Sequence, residues 1–426
     1  MPTDSDAVPL MRETFAFSPE QSDSLHATID HLLEALGGDD VQLLGLGEPI
    51  HGIEEPFVLR NAMFRRLVDH HGFTAIAMET SFPRGLLVND YVHRHVAETF
   101  DQVRNAGFSH GFGKPSATRE LIDWIRNHNA AMSADRQLNF YGFDGPMEMT
   151  HTDSPRQSIM LALDAFAKLN AASADAFRSR IEPLLGDDAA WENPQANMDA
   201  SRSIGDSPAA RSLRAEANEL LNVLSQWRHE GGDTADEPMA LNRLDAQHFA
   251  NAAARILAYH HAVATLPADK RFAGMLSLRD AIMGEHLQYI VRREQLRGGR
   301  VLVFAHNSHL QRGMASWQWG PNLIEWQPAG MHATAHLGKA YAIIATVVGT
   351  VPEFDVLALE PGTLEAALCA TPGPNRAVLT RDIRASGHPF TPRVIPNHRF
   401  VPLTSHYLAD FDAIIAFDTA NTQLVE

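Results

Sequence analysis

Four short apolar runs in this chain each lead into polar residues, and that pattern restricts the fold more than any other feature. VQLLGLG (41–47) runs into Glu48 and His51, and TAIAMET (74–80) carries Glu79 near its end. LNFYGFD (138–144) ends on Asp144, and RVLVFAH (300–306) ends on His306, with Asn307 and His309 just beyond. AYAIIATVVGT (340–350) and DAIIAFDT (412–419) are two further apolar runs. Continuous apolar runs of this length suit strands buried on both faces. Helical patterns separate them, so the chain is expected to be α/β: a mostly parallel sheet flanked by helices, with a large helical insertion. Parallel strands end at one edge of a sheet. Glu48, His51, Glu79, Asp144, His306, Asn307 and His309 are therefore expected to share one cleft, although they are far apart in sequence.

Punctuation between the strands supports this order. Ser18 caps a first helix with Pro19 and Gln21, Leu25, Ile29, Leu32, Leu33 and Leu36 keep helical spacing, and Gly37–Gly38 stop it. EEPFVLRNAMFRRLVDHHG (54–72) is a second helix, with its stripe at Phe57, Met63, Phe64, Leu67 and Val68 and a stop at Gly72. SFPRG (81–85) reads as a loop, VNDYVHRHV (88–96) as a helical turn, and GFSHGFGKP (107–115) as a Gly-rich active-site loop. Between 155 and 298 long helical patterns take over, joined by polar linkers such as GGDTADEP (231–238). Three regions result. Residues 1–150 form a first α/β half, 151–298 a helical insertion or layer, and 299–426 a second α/β half.

Charge and cysteine content narrow the functional classes. The formal net charge is −17 over 426 residues, which argues against nucleic acid or an anionic membrane as partner. No apolar run approaches the ~18–20 residues of a membrane span, and the first residues lack a secretory h-region, so a cytoplasmic location is expected. Cys369 is the sole cysteine and lies in LEAALCAT, where it reads as a buried structural thiol. It permits no intramolecular disulfide and no multi-cysteine zinc site. There is no GxSxG nucleophile elbow either, which favours water activated by His or Glu over a covalent intermediate.

Each polar residue also has a plain structural reading. Glu48 can cap the following helix, His51 can be a satisfied turn histidine, and Glu79 can pair with Arg84. Asp144 can belong to an Asp-Gly-Pro turn, and His306 and His309 can simply pack. Their repeated arrival at one strand edge argues for chemistry instead. A histidine close to a helix N-terminus has its pKa pushed down, which leaves a neutral base near pH 7. Glu48 would orient it, and Arg60, nine residues on, would bind an oxyanion. A metal held by His51, His306, His309 and the two glutamates is the chemical rival.

The motifs resemble those of the erythromycin esterase family, which includes proteins associated with succinoglycan biosynthesis. GEPIHG is similar to the family's GExxHG and FAHNSHL to its AHNxH, while VNDYV, FYGFD and LRDAIM fall in the family's order over about 40–350. The resemblance implies an α/β protein with a cleft above the sheet that opens an ester or a macrolide lactone by hydrolysis; no cofactor is expected, with a divalent metal left open. It implies that His51 is the general base and that Glu48, Arg60, Glu79, His306 and His309 line the same site. Where the family has RDxxMAxN this chain reads RDAIMGEH, so His286 replaces Asn. Arg279, Met283 and His286 share a helix face and are expected, with Asp144 and Asn307, to contact substrate. The Trp-rich stretch 312–333 reads as an aromatic wall or as core. A metal-dependent hydrolase and a non-catalytic binder of a hydrophobic ligand remain the alternatives.

Overall fold

The computed structural model describes residues 15–17, 22–148, 151–227, 237–319, 321–357, 359–371, 375–394 and 407–422. Ser18, Pro19 and Gln21 of the expected cap, and residues 231–236 of the expected linker, lie outside them.

Eight strands form the main sheet, in the order Phe15–Phe17, Asn375–Leu379, Ala413–Thr419, Tyr341–Thr350, Leu43–Glu48, Arg300–His306, Phe73–Ser81 and Asn139–Asp144. The last six pair in parallel, and Asn375–Leu379 is antiparallel to both its neighbours. The four strands whose polar ends the sequence marks are thus adjacent. Glu48 lies beside His306 and Ser81 beside Asp144, so the marked residues meet at one edge.

Side chains alternate between the two faces of the sheet, as a pleated strand requires. Leu44, Leu46, Leu302 and Phe304 point to one core, built with helices Ser22–Leu36, Glu55–His71 and Ser116–Ala130. Leu43, Val301, Val303 and Ala305 point to the other, where Met283, Leu287 and Ile290 of the long helix Ala268–Leu296 cover them. Helices Arg156–Ala167, Ala171–Leu185, Pro208–Gln226 and Glu237–Thr265 bury a core of their own around Phe166, Ile181, Leu213 and Leu257. No helix among the described residues is long and apolar enough to cross a membrane.

Two local readings change. SFPRG is not a loop: helix Phe82–Val92 starts directly after its strand, with Pro83 in the first turn, where its missing N–H costs nothing. The Trp-rich stretch contains a hairpin, Ala315–Trp319 with Asn322–Trp326. Its Ile324 and Trp326 are buried beside Phe272 and Leu276, so this part of the stretch is core.

Backbones meet closely where the site is built. A Cβ on Gly85 would stand 2.3 Å from the Gly142 nitrogen, so helix 82–92 lies directly on strand 139–144. Gly85→Ala must push them apart, and we predict a loss of about 1–3 kcal/mol, read as a lowered midpoint in thermal or urea unfolding.

Candidate active site

Glu79 is the centre of the polar cluster. Its carboxylate is buried at the sheet edge, and Oε2 accepts the backbone N–H of His306 at 2.8 Å. Around Oε1 stand Arg279 Nη2 at 3.1 Å, His309 Nε2 at 3.4 Å and His51 Nε2 at 3.8 Å. Burial alone would raise its pKa, but His309, His51 and Arg279 together outweigh it and hold Glu79 down at about 2. The expected alternative partner, Arg84, pairs instead with Asp153.

Three carboxylate–imidazole pairs surround this centre. In the first, His51 Nδ1 donates to Glu48 Oε1 at 2.6 Å. Glu48 is fully buried at its strand end, and its Oε2 meets no partner among the described residues. In the second, His309 Nδ1 bonds Asp280 Oδ1 at 2.8 Å, and the same oxygen accepts the Ala329 N–H. Burial disfavours charge on His309, but Asp280 and Glu79 raise its pKa. In the third, His110 Nε2 lies 2.8 Å from Asp144 Oδ2. Arg279 joins the pairs: its Nε and Nη2 reach Asp144 at 2.9 and 2.6 Å while Nη2 also reaches Glu79. Against the pull of burial, Arg279 and His110 keep the Asp144 carboxyl well below its usual range.

The expected low pKa of His51 is overturned. Helix Glu55–His71 begins four residues beyond it, too far for a dipole effect to dominate. Burial does lower the pKa, but the Glu48 and Glu79 carboxylates outweigh it and raise His51 to about 9. At neutral pH the Glu48–His51 pair therefore holds a proton that it must lose before His51 can act as a base.

Other expected residues sit beside the cleft without lining it. Arg60 is wholly buried, over the rings of Phe57 and Phe304, with its N–H groups on Asn61, Ala117 O and Met78. It cannot meet a substrate there, and Arg279 is the guanidinium that reaches the cluster. Met283 is packed into the core under the sheet. His286 is also buried, stacked 4.4 Å from Phe82 with Nδ1 on Phe143 O, and burial lowers its pKa to about 4. It is neither a surface histidine nor a substrate contact. Asn307 faces the sheet: Nδ2 donates to Thr346 O at 2.8 Å and Oδ1 accepts the Thr346 N–H at 3.3 Å. A Cβ at Gly47 would lie 2.0 Å from Asn307 Oδ1, which explains the second glycine of GLGE. His306 is at the site with both ring nitrogens occupied, by Ser308 on Nδ1 and Pro49 O on Nε2. Burial first, then His51, lowers its pKa to about 3, so it is neutral.

Sequence reading missed His110 and Asp280. His110 lies in the Gly-rich loop already marked, and Asp280 follows Arg279 within the quoted RDAIM. Phe112 of the same loop packs its ring edge-on 5.7 Å from His51. Among the described residues, no group of three or more His, Cys, Asp or Glu side chains is arranged to hold a metal ion. Cys369 is half-buried, with its thiol pushed up to about 12 by burial, so it offers no nucleophile.

The profile of the erythromycin esterase family matches residues 68–420, which include Glu79, Asp144, Arg279, His306 and His309 but begin beyond Glu48 and His51. Erythromycin esterase type II of Escherichia coli is 24% identical over 287 residues, 64% of this chain and 61% of that enzyme. Less than two thirds of that enzyme is thus matched. The type I enzyme of Escherichia coli is 22% identical over 328 residues, covering 74% of this chain and 72% of its own. The fold is similar to that of a Bacillus cereus protein, with a TM-score of 0.71 at 17% identity over 97% of this chain and 96% of the other. A mutant of the erythromycin esterase EreC in its open conformation matches at TM-score 0.60 and 17% identity, over 93% and 95% of the two chains.

Arg279→Met should leave Asp144 and Glu79 buried without their shared cation, costing about 3–5 kcal/mol. Carboxylates with lowered pKa values contribute stability that is present above their ordinary value, about pH 4, and lost as pH falls further. The gap between wild type and variant in denaturant unfolding should therefore be wide at pH 7 and narrow towards pH 3.

Proposed function

The chain belongs to the erythromycin esterase family, and from that premise we propose that it hydrolyses a carboxylic ester or lactone with water activated by His51. The observation that supports this reading most is the setting of His51. Its Nδ1 is fixed by the buried Glu48, while Nε2 is left beside Glu79 on a side chain that is 48% exposed. An imidazole oriented through one nitrogen and open at the other is what a general base requires.

In the proposed reaction a water at His51 Nε2 loses its proton to the ring as its oxygen attacks the carbonyl carbon. Glu48 steadies the imidazolium that forms. The oxyanion develops in the field of two cations, Arg279 and His309, which Asp144 and Asp280 hold in position. Glu79 keeps those cations and His51 together. Burial raises the Glu48 pKa, and His51 first and Arg60, below the site, last oppose that rise. The tetrahedral intermediate then collapses to acid and alcohol, or to a ring-opened hydroxy acid. Side chains suffice for every step, so no cofactor is assigned. Since the relatives are erythromycin esterases, a macrolide lactone is the first substrate class to try.

Two outcomes test this. The base works only when the Glu48–His51 pair has lost its proton, and its pKa is raised. We therefore predict that the ascending limb of kcat/KM against pH has its midpoint well above 6.5, the ordinary histidine figure, and towards about 9. A profile already flat at pH 7 would contradict the assignment. Dialysis against EDTA should leave the rate unchanged, whereas a rate lost to chelator and restored by a divalent cation would favour a metallohydrolase.

A further inference from the structure

Four histidines meet at the Glu79–Arg279 ion pair, but they differ in what a substrate can reach. His306 has both nitrogens occupied, and the side chain of His309, with a carboxylate near each nitrogen, is 7% exposed. His51 is open. So is His110, at 19%: its Nε2–H donates to Asp144, and its Nδ1 has no partner among the described residues and is not sealed from solvent. His110 therefore repeats, in mirror fashion, the arrangement of His51. One nitrogen is fixed by a buried carboxylate, and the other makes no hydrogen bond among the described residues. The two rings stand on the same ion pair, with His51 Nε2 at 3.8 Å from Glu79 Oε1 and His110 Nε2 at 3.5 Å from Arg279 Nη2.

The backbone supports a deliberate placement. His110 adopts φ +52°, a region that disfavours side chains, while Gly111 beside it is free to do so. Such a conformation persists only where the surroundings fix it, and here they do. The His110 N–H donates to Glu148 Oε1 at 2.9 Å. Next to it, the Ser109 N–H donates to Thr80 Oγ1 and Ser109 Oγ accepts the Ser81 N–H, at 2.7 and 2.8 Å. The loop is thus tied to the end of strand 73–81, which carries Glu79.

We propose that His110 is a second catalytic residue, the general acid that protonates the leaving alkoxide, with Asp144 as its positioning residue. This rests on the hydrolase reading above. As the tetrahedral intermediate collapses, the bond from the acyl carbon to the leaving oxygen breaks, and that oxygen takes the proton from His110 Nδ1. His51 holds the proton of the attacking water. It releases that proton to solvent and His110 regains one, so the cycle consumes one water and no other reactant. Phe112 of the same loop packs against both rings, with centroids 5.7 Å from His51 and 6.5 Å from His110.

Leaving-group dependence separates this role from a structural one, because a nitrophenolate departs without a proton and an alkoxide does not. The test compares hydrolysis of an alkyl ester and of the nitrophenyl ester of the same acid by wild type, His110→Asn and His110→Gly. Asn and Gly both tolerate φ near +52°, and thermal melting checks that they fold. We expect the alkyl-to-nitrophenyl rate ratio to fall about 10²-fold in both variants. Added imidazole should restore part of it in His110→Gly. A ratio equal to that of wild type, whether both rates drop together or neither does, overturns the assignment of His110. Wild type that cleaves neither ester nor a macrolide lactone overturns the hydrolase reading itself, and this inference with it.

Discussion

Burying a lone carboxylate costs several kcal/mol on any realistic account, and Glu79 is buried with every cation of the site gathered around it. That constraint ties together pieces from distant parts of the chain. The backbone of strand 300–306 supplies an N–H, helix 268–296 supplies Arg279, the turn after that strand supplies His309, and the turn after strand 43–48 supplies His51. Each cation is in turn held by another acid. Asp144 takes Arg279, Asp280 takes His309 and Glu48 takes His51. The site is therefore a closed network in which removing one member exposes the desolvation cost of its neighbours.

The network also sets protonation. Glu79 and Asp144 are kept ionised by cations, while His306, which has no carboxylate in hydrogen-bond contact with its ring, is kept neutral by burial. His51 and His309 are pushed the other way, because each has two carboxylates in reach. Two histidines at the end of one strand, three residues apart, thus have their pKa values moved in opposite directions. His309 can serve as a fixed positive charge and His306 as a neutral hydrogen-bonding wall. His51 can exchange a proton with the substrate water.

Much of this was legible in the sequence, for a physical reason. Apolar runs without alternation mark strands covered on both faces, and polar residues at their ends stand out because burial there is expensive. Glu48, His51, Glu79, Asp144, His306 and His309 are found at one edge on that basis. The errors come from residues whose side-chain direction depends on tertiary packing. Arg60 lies on the expected helix, yet its guanidinium turns into the core between that helix and the sheet, onto Phe57 and Phe304. His286 and Met283 share the helix of Arg279 but enter the core, since only part of that helix face meets the cleft. The pKa of His51 was misjudged because the nearest carboxylates, not the helix end, dominate its field. His110 was overlooked because a histidine in a Gly-rich loop has no periodic pattern to give it away.

The most direct test of His51 as the water-activating base is mass spectrometry of a macrolide lactone incubated with wild type and with His51→Ala. The account predicts a product heavier by one water with wild type and intact lactone with the variant, although the variant melts as a folded protein. A folded His51→Ala that opened the ring as fast as wild type would contradict it.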